Sequence, residues 1–298
     1  MPLLPLPALN DPEGLRVPDS LPVVVDAHVH LFPDALFSAI WSWFAQFGWP
    51  IRYQLGASEL IEFLLSRGVG HIIGLHYAHR PGIARGLNAY MAELCRNYPQ
   101  VTGLATVFPG EEGAADILRE ALQAGLAGVK LHAHVQFFEM DSPAMHEIYG
   151  ICAECDKPLV MHVGREPKNP DFPYPRDPYL ICAAEKVEVV LRDYPKLRVC
   201  VPHLGADEFD AYRRLLERYD NLWLDTTMVY ADYLPVVEVP RLAEFRSDRV
   251  MYGTDFPNIP YAWDRELKRL SELGLSADAL EKILGGTAVE FFGLPPAR

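Results

Sequence analysis

His28-Val29-His30 is the first place along this chain where residue types and spacing could do chemistry. Side chains alternate in direction along an extended strand, so residues two apart share a side. Two imidazoles on one side can grip a single divalent cation as neighbouring ligands. An isolated His-x-His pair is common by chance, but later apolar runs stop in the same way. Lys130 and His132 close GVKLHAH, His162 closes LVMHVG, His203 closes VCVPHLG and Asp255 closes MYGTDF. One buried histidine is more often a satisfied core residue than a ligand. Several ionisable groups at the same ends of successive strands converge in space, and core packing alone gives no reason for that.

Convergence requires elements that bring those ends together. From residue 20 onward, short apolar runs alternate with amphipathic ones. Strands are expected over 23–30, 71–78, 101–108, 128–134, 158–164, 197–205, 222–228 and 249–256, each rich in Val, Ile, Leu or aromatics. Helices are expected between them, for example over 58–68, 84–98, 114–125 and 207–219, where apolar residues recur at i, i+3, i+4. Strand–helix alternation implies right-handed crossovers and a parallel sheet. Eight such units predict an α/β protein built as a (β/α)8 TIM barrel, although an open doubly wound sheet would give a similar pattern. The expected organisation is an N-terminal arm over 1–20, then one barrel domain over 21–298 with a C-terminal helical extension. Two segments break the rhythm: an aromatic-rich insertion at 31–55 and a proline-rich loop at 165–179. Both follow the C-terminal end of a strand, where barrel enzymes place lids and binding walls. A subunit interface is the alternative use of the aromatic insertion.

Taken in order, D-x-H-x-H, G-x-K-L-H, M-H-x-G, H-x-G and G-T-D-F-P resemble the amidohydrolase superfamily, and within it the amidohydrolase 2 branch. That branch includes aminocarboxymuconate-semialdehyde decarboxylase and pyrone-dicarboxylate lactonase. The resemblance spans residues 23 to 294 and takes in the C-terminal ILGGTAVEFFGL. It implies that His28, His30, His162 and Asp255 ligate one metal ion, zinc in the first instance, with Mn or another divalent ion also fitting. It further implies that Asp255 takes a proton from a metal-activated water, and that His203 polarises the substrate carbonyl or orients the nucleophile. Some binuclear relatives carry a carboxylated lysine at the position of Lys130, with His162 and His203 on a second ion. One ion is the expectation here, leaving Lys130 as a cation for a substrate carboxylate. His132, Arg52 and Arg165 complete the expected substrate-binding set, Arg52 because decarboxylase relatives use an arginine from a comparable loop.

Composition sets the outer bounds. The 298 residues are 50% hydrophobic and 22% charged, as expected of a globular chain with a large core. A formal charge of −13 repels phosphate backbones, which argues against nucleic acid as a partner. No run reaches the roughly 18 apolar residues of a membrane helix, so no membrane partner and a cytoplasmic location are expected. Five cysteines in a chain of this length read as reduced thiols, including the Cys152/Cys155 pair. The expected partner is a small-molecule substrate, and exposed aromatics in the insertion are compatible with a homodimer. Hydrolysis of an ester, lactone or amide of a small carboxylated substrate is the first functional expectation. Non-oxidative decarboxylation of the aminocarboxymuconate-semialdehyde type is the alternative. A barrel that binds ligand without turnover is the minor one, and it would require a broken ligand set.

Overall fold

The computed structural model describes residues 8–166, 168–233 and 238–295. Residues 1–7 of the expected arm lie outside that set. Among the described residues the chain alternates strand and helix in order: β1 (Val25–His30), α1 (Asp34–Phe47), α2 (Ala57–Ser66), β2 (His71–Leu75), α3 (Ala84–Asn97), β3 (Val101–Gly103) and α4 (Ala114–Gln123). It continues through β4 (Val129–His132), α5 (Ala133–Gln136), α6 (Pro143–Glu154), β5 (Leu159–His162), α7 (Ala184–Asp193), β6 (Val199–Val201) and α8 (Phe209–Arg218). Last come β7 (Leu222–Asp225), β8 (Val250–Met251), α9 (Arg265–Glu272), α10 (Ala277–Glu281) and α11 (Thr287–Phe292). Strand order follows chain order, as β1-β2-β3 and β4-β5-β6-β7-β8. No helix among the described residues is long and apolar enough to cross a membrane.

The described residues form two compact units, one drawn from the stretches up to 73 and from 225 onward, the other from those between 74 and 224. In the first, all six residues of β1 are buried, as befits a strand covered on both faces. The chain leaving β8 runs alongside β1: Val29 and Phe256 form a parallel bridge, and His30 N–H donates to the Phe256 carbonyl at 2.7 Å. The described part of the arm is fastened to this unit. Arg52 donates to the carbonyls of Ala8 and Asp11, Arg265 pairs with Asp11 at 2.9 Å, and Trp263 Nε1 donates to the Gly14 carbonyl.

In the second unit, β4 and β5 pair in parallel with Lys130 opposite Val160 and His132 opposite His162. β5, β6 and β7 continue the parallel ladder. The β3 side joins through a parallel bridge between Ala105 and Val129. Cys152 is buried in α6 and Cys155 caps its end, both as free thiols.

Several strands are shorter than the sequence pattern predicts. The run expected over 128–134 stops at His132, because 133–136 coil into a helical turn. Gln136 locks that turn: its Oε1 accepts from His132 N–H, and its amide nitrogen donates to the carbonyls of Ala78 and Val107. The run expected over 197–205 stops at Val201, because His203, Leu204, Ala206 and Asp207 all take positive φ, which ends an extended ladder. The aromatic insertion is helical over Asp34–Phe47, where Phe37 is buried against Phe32 and stacks on Trp41.

Candidate metal centre

In the first unit, β1 delivers His28 and His30, and the segment after β8 delivers Asp255. The three are buried, and their donor atoms all lie within 4.8 Å of one another. Glycine at 253 is a packing requirement. A Cβ there would sit 2.4 Å from Thr227 Oγ1 and 2.7 Å from the His28 Cβ. Asp26 ties the two segments together, accepting from His28 N–H at 3.1 Å, Thr254 N–H at 3.1 Å and the Thr254 hydroxyl at 2.6 Å. Burial pushes its carboxyl up to about 7 against the pull of those three donors. Asp255 itself holds φ at +68°, a left-handed conformation that costs an L-residue energy and is concentrated at functional sites.

Protonation follows from the partners. His28 Nδ1 lies 2.9 Å from Asp225 Oδ2 at the end of β7. A carboxylate only accepts, so Nδ1 carries the hydrogen and Nε2 presents its lone pair. That lone pair faces Asp255 Oδ1 at 3.3 Å, and His30 Nε2 lies 3.1 Å from the same oxygen. A lone pair set against a carboxylate oxygen is stable only with positive charge between them. Separations of 3.1–3.3 Å are those of adjacent ligands around an ion with bonds of about 2.0–2.1 Å. The donor set fits a divalent cation.

The other expected site residues, Arg52 apart, lie in the second unit or at its surface. His132 and His162 stack face to face at 4.0 Å, a direct result of their shared register. His162 Nδ1 lies 3.3 Å from His203 Nε2, and its Nε2 lies 3.1 Å from Glu166. Burial pushes the His162 imidazole down to about 3, with Glu166 opposing that and His203 adding to it. Lys130 is fully buried on β4. Arg165 is exposed, 3.8 Å from Glu208. Arg52 is held in the first unit by Glu13 and the arm carbonyls.

Three participants were missing from the sequence reading. Asp225 ends the expected seventh strand, LWLDTTM, in the same way that Asp255 ends the eighth, and that was its available signal. Glu166 and His134 had none, since one lies in the proline-rich loop and the other in a turn that reads as strand.

Residues 25–294 match the amidohydrolase family. The chain belongs to that family. Over 253 residues this amidohydrolase is 24% identical to 2-amino-3-carboxymuconate-6-semialdehyde decarboxylase of Dictyostelium discoideum, a match covering 72% of this chain and 68% of that protein. Its fold is similar to that of an uncharacterized TIM-barrel protein from Bordetella bronchiseptica, with TM-score 0.65 and 20% identity over 91% of this chain and 98% of the other. It is also similar to the 5-carboxyvanillate decarboxylase of Novosphingobium aromaticivorans, solved with manganese and 4-hydroxy-3-methoxy-5-nitrobenzoic acid. There the TM-score is 0.64 at 17% identity, covering 94% and 99%. The fold of this amidohydrolase is a (β/α)8 TIM barrel, as its strand–helix alternation predicts.

Proposed function

We propose that this amidohydrolase is a metal-dependent, non-oxidative decarboxylase of a small, planar carboxylic acid, in place of the hydrolase that ranked first on sequence. The observation that carries the reading is the buried His28–His30–Asp255 donor set in a chain that is similar to two named decarboxylases. His28, His30 and Asp255 would hold the cation. The resemblance adds His162 to that set, but its nitrogens face Glu166 and His203, so the proposal rests on the three residues of the first unit. Manganese and zinc both suit two imidazoles and a carboxylate.

A bound divalent ion would supply Lewis acidity, drawing charge from the substrate as the carbon–carbon bond breaks. The protein's own groups do the rest. Asp225 holds the His28 tautomer, and the Asp26–Thr254 clamp fixes the spacing of the two ligand segments. The electron pair of the broken bond stays on the ring or chain carbon, and a proton must replace the lost carboxylate there. Asp255 is the proposed proton carrier, with His203 offsetting developing charge. Lys130 and His132 are the proposed contacts to a substrate carboxylate. Arg52 and Arg165 have partners of their own and are secondary candidates.

The test is product analysis with manganese- or zinc-loaded enzyme against carboxymuconates, hydroxybenzoates and lactones in isotopically heavy water. One CO2 per product, with no water oxygen incorporated, is the expected result. Incorporation of heavy oxygen without CO2 release would restore hydrolysis.

A further inference from the structure

Residues 8–17 precede the stretch that matches the family, which begins at 25, yet several side chains of the first unit bind them. Glu13 is the centre of that attachment. Its Oε2 accepts from Arg52 at 3.1 Å and from the Tyr53 hydroxyl at 2.5 Å, and its Oε1 accepts from Arg67 at 3.3 Å. Tyr53 has one hydroxyl hydrogen. Trp263 N–H donates to the same Tyr53 oxygen at 3.0 Å, so that hydrogen is committed to Glu13. Arg67 in turn lies over the Phe63 ring, 3.4 Å from its centroid. Gly14 sets the place of Glu13: its N–H donates to Asp264 at 2.8 Å, and a Cβ there would lie 2.4 Å from the same carboxylate oxygen. Both routes from Glu13 end on one ring. Tyr53 lies 5.0 Å from the Phe256 ring, and Phe63 stacks on it at 5.4 Å. Phe256 is fully buried and directly follows Asp255. Its carbonyl accepts from His30 N–H at 2.7 Å, and its own N–H donates to the Thr254 hydroxyl at 3.0 Å. A close-packed interior transmits strain, so a shift of that ring moves the backbone of Asp255 against the backbone of His30.

We propose that residues 8–17 are a strap on the candidate metal centre, with Glu13 and Tyr53 as positioning residues that set the spacing of His30 and Asp255. The proposal rests on the reading of His28, His30 and Asp255 as cation ligands. Glu13 and Tyr53 act through Phe256 and not by contact with the ion. Arg52 grips the strap, its guanidinium holding the Ala8 and Asp11 carbonyls as well as Glu13. The competing reading is an arm that only adds stability. Loosening it would then lower the melting temperature and leave the His30–Asp255 spacing as it is.

The experiment uses the full chain with Glu13→Ala, Glu13→Gln or Tyr53→Phe. The control is Arg16→Ala, whose exposed pair with Asp19 involves none of these residues. Affinity for Mn2+ or Zn2+, read against a competing chelator, should fall about 2–30-fold in Glu13→Ala and in Tyr53→Phe, the span of effects carried through packed side chains. Glu13→Gln keeps an oxygen for the Tyr53 hydroxyl and should recover most of that loss. Hydrogen exchange, measured with and without the ion, should quicken at the His30 and Asp255 amides, which bond to the Phe256 and His28 carbonyls. It should quicken in Glu13→Ala and Tyr53→Phe and stay unchanged in Arg16→Ala. Lower melting temperatures with cation affinity and both amide rates unchanged would overturn the proposal. So would an affinity that falls as far in Arg16→Ala as in Glu13→Ala. If the wild type bound no divalent ion, the metal reading would fall. Faster exchange at those two amides would then still uphold the strap, and unchanged exchange would overturn it.

Discussion

At the scale of single residues, the hydrogen on His28 Nδ1 matters most, because it decides which nitrogen can bind an ion. Asp225→Asn puts an amide where the carboxylate was and removes the charge that fixes this tautomer. We expect the cation affinity of the first unit to fall about 10–100-fold, as when the outer partner of a metal-bound histidine is lost. Titration against a competing chelator reads this directly, and an unchanged affinity would remove Asp225 from the centre. Asp255→Asn keeps an oxygen for the ion but can no longer carry a proton. Turnover should drop by about 10²–10⁴-fold, the range for a lost general acid–base group. A similar KM alongside the lowered kcat would place the loss in chemistry and not in binding. His28, His30 and Asp255 were legible as residue types at strand ends, since period two and the end of an apolar run are properties of the sequence itself. Glu166 was not, because its place beside His134 and His162 depends on how a proline-rich loop folds back.

At the scale of elements, the site depends on how closely the segment after β8 can approach β1. Gly253→Ala inserts a methyl group 2.4 Å from Thr227 Oγ1 and 2.7 Å from the His28 Cβ, so one strand must move. We expect a loss of about 1–3 kcal/mol in urea unfolding, the usual cost of overpacking, together with weakened cation binding because His28 is one of the displaced atoms. Destabilisation without any change in cation affinity would show that the strands part elsewhere. The helices over 57–66, 84–97, 114–123 and 209–218 fall within a few residues of their expected positions, because each shows its buried stripe in the sequence. Strand ends were less legible. Nothing in KLHAHVQ announces that Gln136 will satisfy three backbone groups and coil the chain after His132. Nor does VPHLGAD announce a run of left-handed residues.

At the scale of the whole molecule, cation binding and folding are linked. An ion that binds only the folded chain at about 1,000 times its Kd adds roughly 4 kcal/mol. For a chain of this size that is on the order of 10 °C in Tm, so chelation should lower the melting temperature by about that amount and added Mn2+ or Zn2+ should restore it. Folding also carries a pH signature from Glu266, which is buried and accepts from the Met228 and Tyr230 N–H groups. Burial raises its carboxyl well above the usual range, with Asp225 adding to this and its hydrogen-bond donors opposing. The native state therefore keeps a proton that the unfolded chain releases near pH ~4.3, and stability falls as pH rises above that point, by up to about 1.4 kcal/mol per unit. Glu266→Gln should flatten the dependence of the urea midpoint on pH, and an unaltered slope would rule Glu266 out as its source. A last consequence comes from the placing of ligands on β1 and on the segment after β8. His30 and Asp255 are 225 residues apart in the chain. As the protein is synthesised, the chain from His30 through Asp255 must leave the ribosome before this cation can be caged. The ion cannot act as an early nucleus for folding, and acts instead as a latch on a chain that has already closed.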